Sequence, residues 1–234
     1  MTEKDICPGI DIMKSIRSDL AGQLLKLVEK RMKTHPDQII ENKVSPGKVI
    51  IAQDGAPKEL FFILQGTVKI FHTTRKGSEY LMAVAGPGEL VGEVEMLTNE
   101  CHICSVKAIT DSRLGVVKKT DYLDWLREDH NFSLLVNKAI CFRLQKISAR
   151  AAMHLIYPLE YSVLKYIKDA VHASPVKTLL VSKKELAEYL GTSQRSINRI
   201  LKKLQEQEIL SVSGNEIRVV SMDFLERFLL IHEH

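Results

Sequence analysis

The stretch 182-SKKELAEYLGTSQRSINRILKKLQEQEIL-210 reads as two capped helices joined by a glycine turn, with the basic residues gathered on the second. Ser182 and Glu185 stand at the spacing of a capping box, which satisfies the free amides of a helix start. Leu186, Ala187 and Leu190 give that helix one apolar face, and Gly191 stops it, because glycine enters the left-handed conformation without steric cost. Ser193 caps a second helix. In it Ile197, Ile200, Leu201 and Leu204 recur at helical spacing, while Arg195, Arg199, Lys202 and Lys203 fall at offsets of four, seven and eight. Between Thr192 and Lys203 there are four cations and no acidic residue, although the segment from Pro158 onward carries 11 Lys plus Arg against 10 Asp plus Glu. An ordinary amphipathic hairpin with a solvated basic face has no need of such placement. The pattern predicts a helix-turn-helix whose second helix enters a DNA groove. Residues 209–212 and 216–220, flanking Ser213-Gly214-Asn215, predict a following hairpin, the wing.

Working upstream, residues 131–156 lack Gly and Pro and carry Val136, Ile140, Leu144, Ile147, Ala151 and Leu155 at steps of three and four. This predicts one long helix with a single seam, suited to pairing with its copy in a second subunit. Tyr157-Pro158 ends it, and 159–171 predicts a further amphipathic helix. Before the long helix, short β-rich runs at 49–52, 60–64, 67–73, 80–85, 105–109 and 114–117 are separated by turns at Pro46-Gly47, Asp54-Gly55, Gly66, Gly77 and Pro87-Gly88. Strands at that spacing predict a sandwich or roll.

On these residues the chain resembles the Crp/Fnr superfamily of bacterial transcription regulators over nearly its whole length. The resemblance implies an α+β chain in three parts. These are an N-terminal cyclic-nucleotide-binding-type β-roll that senses an effector (1–130), a long dimerisation helix (131–156) and a C-terminal winged helix-turn-helix (157–234). It further implies a homodimer bound to a near-palindromic DNA operator, with two recognition helices set by the two-fold axis. Arg199 matches the family's base-reading arginine. Gln194 and Arg195 occupy the exposed positions after the cap, where the familiar relatives carry Arg and Glu, so the code for bases differs here. Thr192, Ser193, Lys202 and Lys203 are expected on phosphates. Activation would require a surface for RNA polymerase, which leaves no local signature.

The effector end departs from the best-known pattern. The resemblance places a pocket at Gly92, Glu93, His102 and Ser148, but 92-GEVEMLTNECHICSVKA-108 holds no Arg between Gly92 and Ser105. The cation that clamps a cyclic phosphate is therefore missing, and cyclic AMP is not expected as the effector. The same segment carries Cys101 and Cys104, whose spacing permits a thiol switch, and with its GEVEM run is similar to a YeiL-like branch. Buried reduced cysteine is the plainer reading. A single CxxC is half of a zinc site, so no metal is expected. An iron-sulfur cluster is not expected either, since the family's cluster sensors use several N-terminal cysteines and this N-terminus offers Cys7 alone. His232 and His234 read as a frayed end.

Composition is consistent with this and adds little. The chain has 234 residues, 45% hydrophobic, with a formal net charge of +4. No apolar signal-peptide core or membrane span is visible, which predicts a cytoplasmic protein. Two other functions compete: a thiol redox protein built on Cys101 and Cys104, and a cyclic-nucleotide-binding regulatory module. The first lacks the βαβ setting of a CxxC enzyme, and the second leaves the helix-turn-helix unexplained. No catalytic triad, P-loop or carboxylate pair stands out, so an enzyme is not expected.

Overall fold

The computed structural model describes residues 10–172 and 177–232, with the side chains of residues 10–17, 154 and 172 outside that description. The described residues fall into two compact units, one drawn from Met1–Gly77 and Met82–Lys146, the other from Ser78–Leu81 and Ile147–His234.

The first unit opens with α1 (Ile10–Thr34) and then forms two four-stranded antiparallel sheets. One has the order β1 (Ile39–Val44), β8 (Ser112–Lys118), β3 (Glu59–Gln65), β6 (Leu90–Val91). The other has the order β2 (Val49–Ile51), β7 (Ser105–Ala108), β4 (Val68–Thr73), β5 (Glu79–Ala85). The expected strands are all present within two residues of their predicted ends. Strand β3 shows why the run LFFIL is apolar without alternation: both of its faces are covered. Ile63 is buried between the sheets with Ile51, Val68, Val106 and Leu114. Leu60 and Phe62 point the other way, into a core shared with α1, α3 (Lys119–Glu128) and the start of α4 (His130–Ile156). There Trp125 stacks on Phe132 at a centroid distance of 3.7 Å, with Phe62 5.9 Å from Trp125.

Helix α4 begins and ends within a residue of expectation, but its seam is not one surface. Val136 is buried in the core of the first unit, with Ile140 packed against it. Leu144 and Leu155, further along, are 62% and 87% exposed.

The second unit packs α5 (Leu159–His172), α6 (Lys183–Leu190), α7 (Gln194–Glu206) and α8 (Met222–His232) around a core of Leu164, Ile167, Leu186, Ile197 and Leu204. The wing hairpin is β10 (Leu210–Ser213) and β11 (Glu216–Val219), and β9 (Thr178–Leu180) adds a third strand beside β11. His232 is not frayed as expected: it lies in α8, stacked on Phe228, with Nδ1 2.9 Å from the Phe228 carbonyl oxygen. His234 and Cys7 lie outside the described residues. No helix among the described residues is long and apolar enough to cross a membrane.

Candidate functional site

Both halves of the capping box form at the start of α6. The Glu185 amide donates to Ser182 Oγ at 3.1 Å, and the Ser182 amide donates to Glu185 Oε2 at 2.9 Å. Gly191 ends the helix at φ 61° and ψ 36°, its amide donating to the Ala187 carbonyl. Ser193 then caps α7, accepting from the Ser196 amide at 3.1 Å. Ile197, Ile200, Leu201 and Leu204 are buried against the rest of the unit, which fixes the roll of α7 about its axis. Gln194, Arg195, Arg199 and Lys202 are consequently exposed, and so is Asn198.

Asn198 carries no charge and does not stand out in the sequence beside the cations of α7. It lies three residues from Arg195 and four from Lys202, so the three share a face. An Asn amide can pair bidentately with adenine as Arg does with guanine. Thr192 is half-buried and Ser193 exposed, at the positive end of the helix dipole where phosphates bind. Lys203 is differently placed: its Nζ lies 2.7 and 3.0 Å from the two carboxylate oxygens of Glu160 on α5. Lys202 makes a looser 3.8 Å approach to Glu206. Arg195 and Arg199 have no ion pair among the described residues.

Of the four residues expected in an effector pocket, the fold brings three together. Gly92 caps α2 (Glu93–Thr98) at φ 90°, and a Cβ there would lie 3.6 Å from the His102 ring. His102 is buried, with Nδ1 3.4 Å from Glu95 Oε2. Ser148 is exposed, in the part of α4 that belongs to the second unit.

Glu93 is 1% exposed and pairs with Arg143 of α4, whose other terminal nitrogen donates to the Leu90 carbonyl at 2.8 Å. This basic partner of Glu93 stands 50 residues downstream. Burial pushes the Glu93 carboxyl up from its ordinary value, and the Arg143 guanidinium opposes this. Its Oε2 and the Tyr122 hydroxyl are buried without a hydrogen-bond partner among the described residues. Burial, with the Glu93 charge, also raises the Tyr122 phenol.

Cys101 is exposed and Cys104 half-buried. Burial and the charge of Glu95 push the Cys104 thiol up to about 11, so it stays protonated near neutral pH and is a weak nucleophile. No group of three His, Cys, Asp or Glu side chains able to hold a metal occurs among the described residues.

The cyclic nucleotide-binding domain family matches residues 41–129, and the Crp-like helix-turn-helix domain family matches residues 161–228. A protein of Lacticaseibacillus casei, named "Probable transcriptional regulator flp", is 25% identical over 80% of this chain and 86% of its own length. The cyclic AMP receptor protein of Thermus thermophilus is 27% identical over 77% of this chain and 83% of its own. Among solved structures, the c-di-GMP-responsive global regulator CLP of Xanthomonas campestris superposes with a TM-score of 0.74. That match has 17% identity and covers 83% of this chain and 99% of that one. Since roll and helix-turn-helix are matched in this order along one chain, the protein belongs to the Crp/Fnr superfamily and is a transcription regulator with a helix-turn-helix DNA-binding domain, not an enzyme.

Proposed function

We propose that this regulator binds a near-palindromic operator as a homodimer, reads bases with Gln194, Arg195, Asn198 and Arg199, and answers to an effector other than cyclic AMP. The observation that carries the reading is the exposed face of α7. Four buried aliphatic residues hold it outward, and Arg195 and Arg199 stand on it unengaged by any carboxylate among the described residues. Thr192 and Ser193 at the start of α7, with Lys202, supply phosphate contacts that fix register without reading sequence. The exposed Leu144 and Leu155 of α4 support pairing with a second copy. Against cyclic AMP stands the lack of an Arg between Gly92 and Ser105, together with the engagement of Arg143 by Glu93.

Selection from random duplexes followed by fluorescence anisotropy tests the reading. Arg199→Ala is expected to cost about 1–3 kcal/mol and to relax preference at one base pair per half-site. A uniform loss across all operators would remove Arg199 from base reading. Calorimetric binding of cyclic AMP at micromolar affinity would overturn the effector statement.

A further inference from the structure

The first unit contains a cavity of about 60 Å³ enclosed by α1, β4, β5 and α4, and none of Gly92, Glu93, His102 and Ser148 lines it. Its walls are mostly apolar, with Leu20 and Leu24 from α1, Ile70 from β4, Ala83 from β5 and Phe142 from α4. Arg143 and Lys146, three residues apart on α4 and hence on one helix face, bring two cations to the same space. Glu89 also lines the cavity, and its Oε2 accepts from the Gly86 amide at 2.8 Å. A guanidinium has five N–H donors, and Glu93 and the Leu90 carbonyl engage Arg143 through two of its nitrogens. Donors therefore remain for a further acceptor.

Size and polarity limit what fits. A water needs about 10–15 Å³ of such space, so the cavity admits roughly four to six non-hydrogen atoms, far fewer than a nucleotide has. Apolar walls offer water few partners and favour a hydrocarbon. The cations favour a planar anion at the edge of that hydrocarbon.

We propose that this cavity binds a short straight-chain carboxylate of about two to four carbons, its tail against Leu20, Leu24, Ile70 and Phe142 and its head on Arg143 and Lys146. The claim that such a ligand is the effector rests on the regulatory reading above; the claim that it binds does not. A bound carboxylate adds a second anion beside Arg143, which favours the protonated, uncharged form of Glu93 that burial already favours. That change of charge would act on α4, the helix that continues to Ile156.

Calorimetry on the full-length protein with acetate, butanoate, pentanoate, hexanoate and decanoate at fixed ionic strength tests the site. Affinity is expected to rise about fourfold per methylene from acetate to butanoate, where the cavity is filled, and to fall for hexanoate and decanoate. Ala83→Leu fills the space without touching a charge and should abolish binding with the urea midpoint retained. Ala139→Leu, on the α4 wall, does the same if the first variant fails to fold. Lys146→Met should weaken binding about tenfold while keeping the chain-length dependence. Affinity independent of chain length, binding unchanged in a folded cavity-filling variant, or no binding at millimolar concentrations overturns the proposal. Operator anisotropy with and without butanoate separates the two claims. Binding that leaves DNA affinity unchanged upholds the site and removes its role as effector. DNA affinity without carboxylate binding removes the site and leaves the regulator.

Discussion

Gly88 has a φ of +83°, and a Cβ placed on it would lie 2.1 Å from the backbone carbonyl oxygen of Ala21 in α1. Two requirements meet at one residue: a left-handed conformation that favours glycine and a backbone approach that leaves no room for a methyl group. Gly88→Ala must therefore strain the turn and push α1 off the roll. A loss of at least about 2 kcal/mol is expected from urea unfolding, and a loss below about 0.5 kcal/mol would show that α1 is held elsewhere. Glu93 makes a different prediction, through protons. Because burial raises its folded pKa above the unfolded value, the folded state retains the proton longer. Its contribution to stability is therefore full below the unfolded pKa, falls as pH rises toward the folded value, and is level above that. Glu93→Gln cannot titrate, yet its amide oxygen still accepts from Arg143. The wild-type stability minus that of the variant should therefore decrease as pH rises above the ordinary carboxylate range of about 4. A difference that grows with pH would mean that the Arg143 attraction outweighs desolvation.

At the scale of elements, the parts legible in the sequence were those whose ends are written locally. Ser182, Gly191 and Ser193 bound α6 and α7 through hydrogen bonds to their own neighbours, so the helix-turn-helix needed no tertiary information. The roll strands were legible because glycine turns separate them. Helix α3 was not, since Lys118 at its N-cap makes no side-chain cap bond and nothing marks its start. Strand β9 has three residues, too short for a period of two to show. Helix α8 did carry a signal that went unread: Ser221 Oγ accepts from the Phe224 amide at 3.3 Å, a cap just before an apolar run. The Glu93–Arg143 pair and the cavity beside it depend on residues far apart in sequence, so no local pattern announces them. The same limit applies to Lys203, which the basic pattern grouped with Lys202 although Glu160 of α5 holds its ammonium. Lys202→Ala should flatten the dependence of log affinity on log salt by about one unit. Lys203→Ala should change that slope less and cost under about 1 kcal/mol in stability, as expected for an exposed ion pair. Equal slopes for the two variants would show that Lys203 leaves Glu160 for phosphate when DNA binds.

For the molecule as a whole, the question is what covers the far end of α4. The stripe from Val136 to Leu155 keeps one helical period throughout, yet its first turns are buried in the first unit while Leu144 and Leu155 remain 62% and 87% exposed. Continuing an apolar period past the core that explains it leaves large side chains in water without benefit to a monomer. In a two-fold pair each leucine is buried twice. At about 1.5–3 kcal/mol per side chain, the four leucines contribute roughly 6–12 kcal/mol, comparable with the cost of association. The flanking Ile147, Ala151 and Ile156 would then decide how tight the dimer is. Replacing Leu155 by Lys removes two of the four and sets like charges near one another. A dissociation constant weaker by about two orders of magnitude or more is expected from sedimentation equilibrium. Dimerisation matters to DNA only if both recognition helices bind together. Leu155→Lys should therefore lose affinity for a two-half-site operator while its affinity for a single half-site stays at the wild-type value. An unchanged sedimentation profile would show that α4 does not carry the dimer. A parallel loss on half-sites would show that the substitution damages the DNA-binding unit itself.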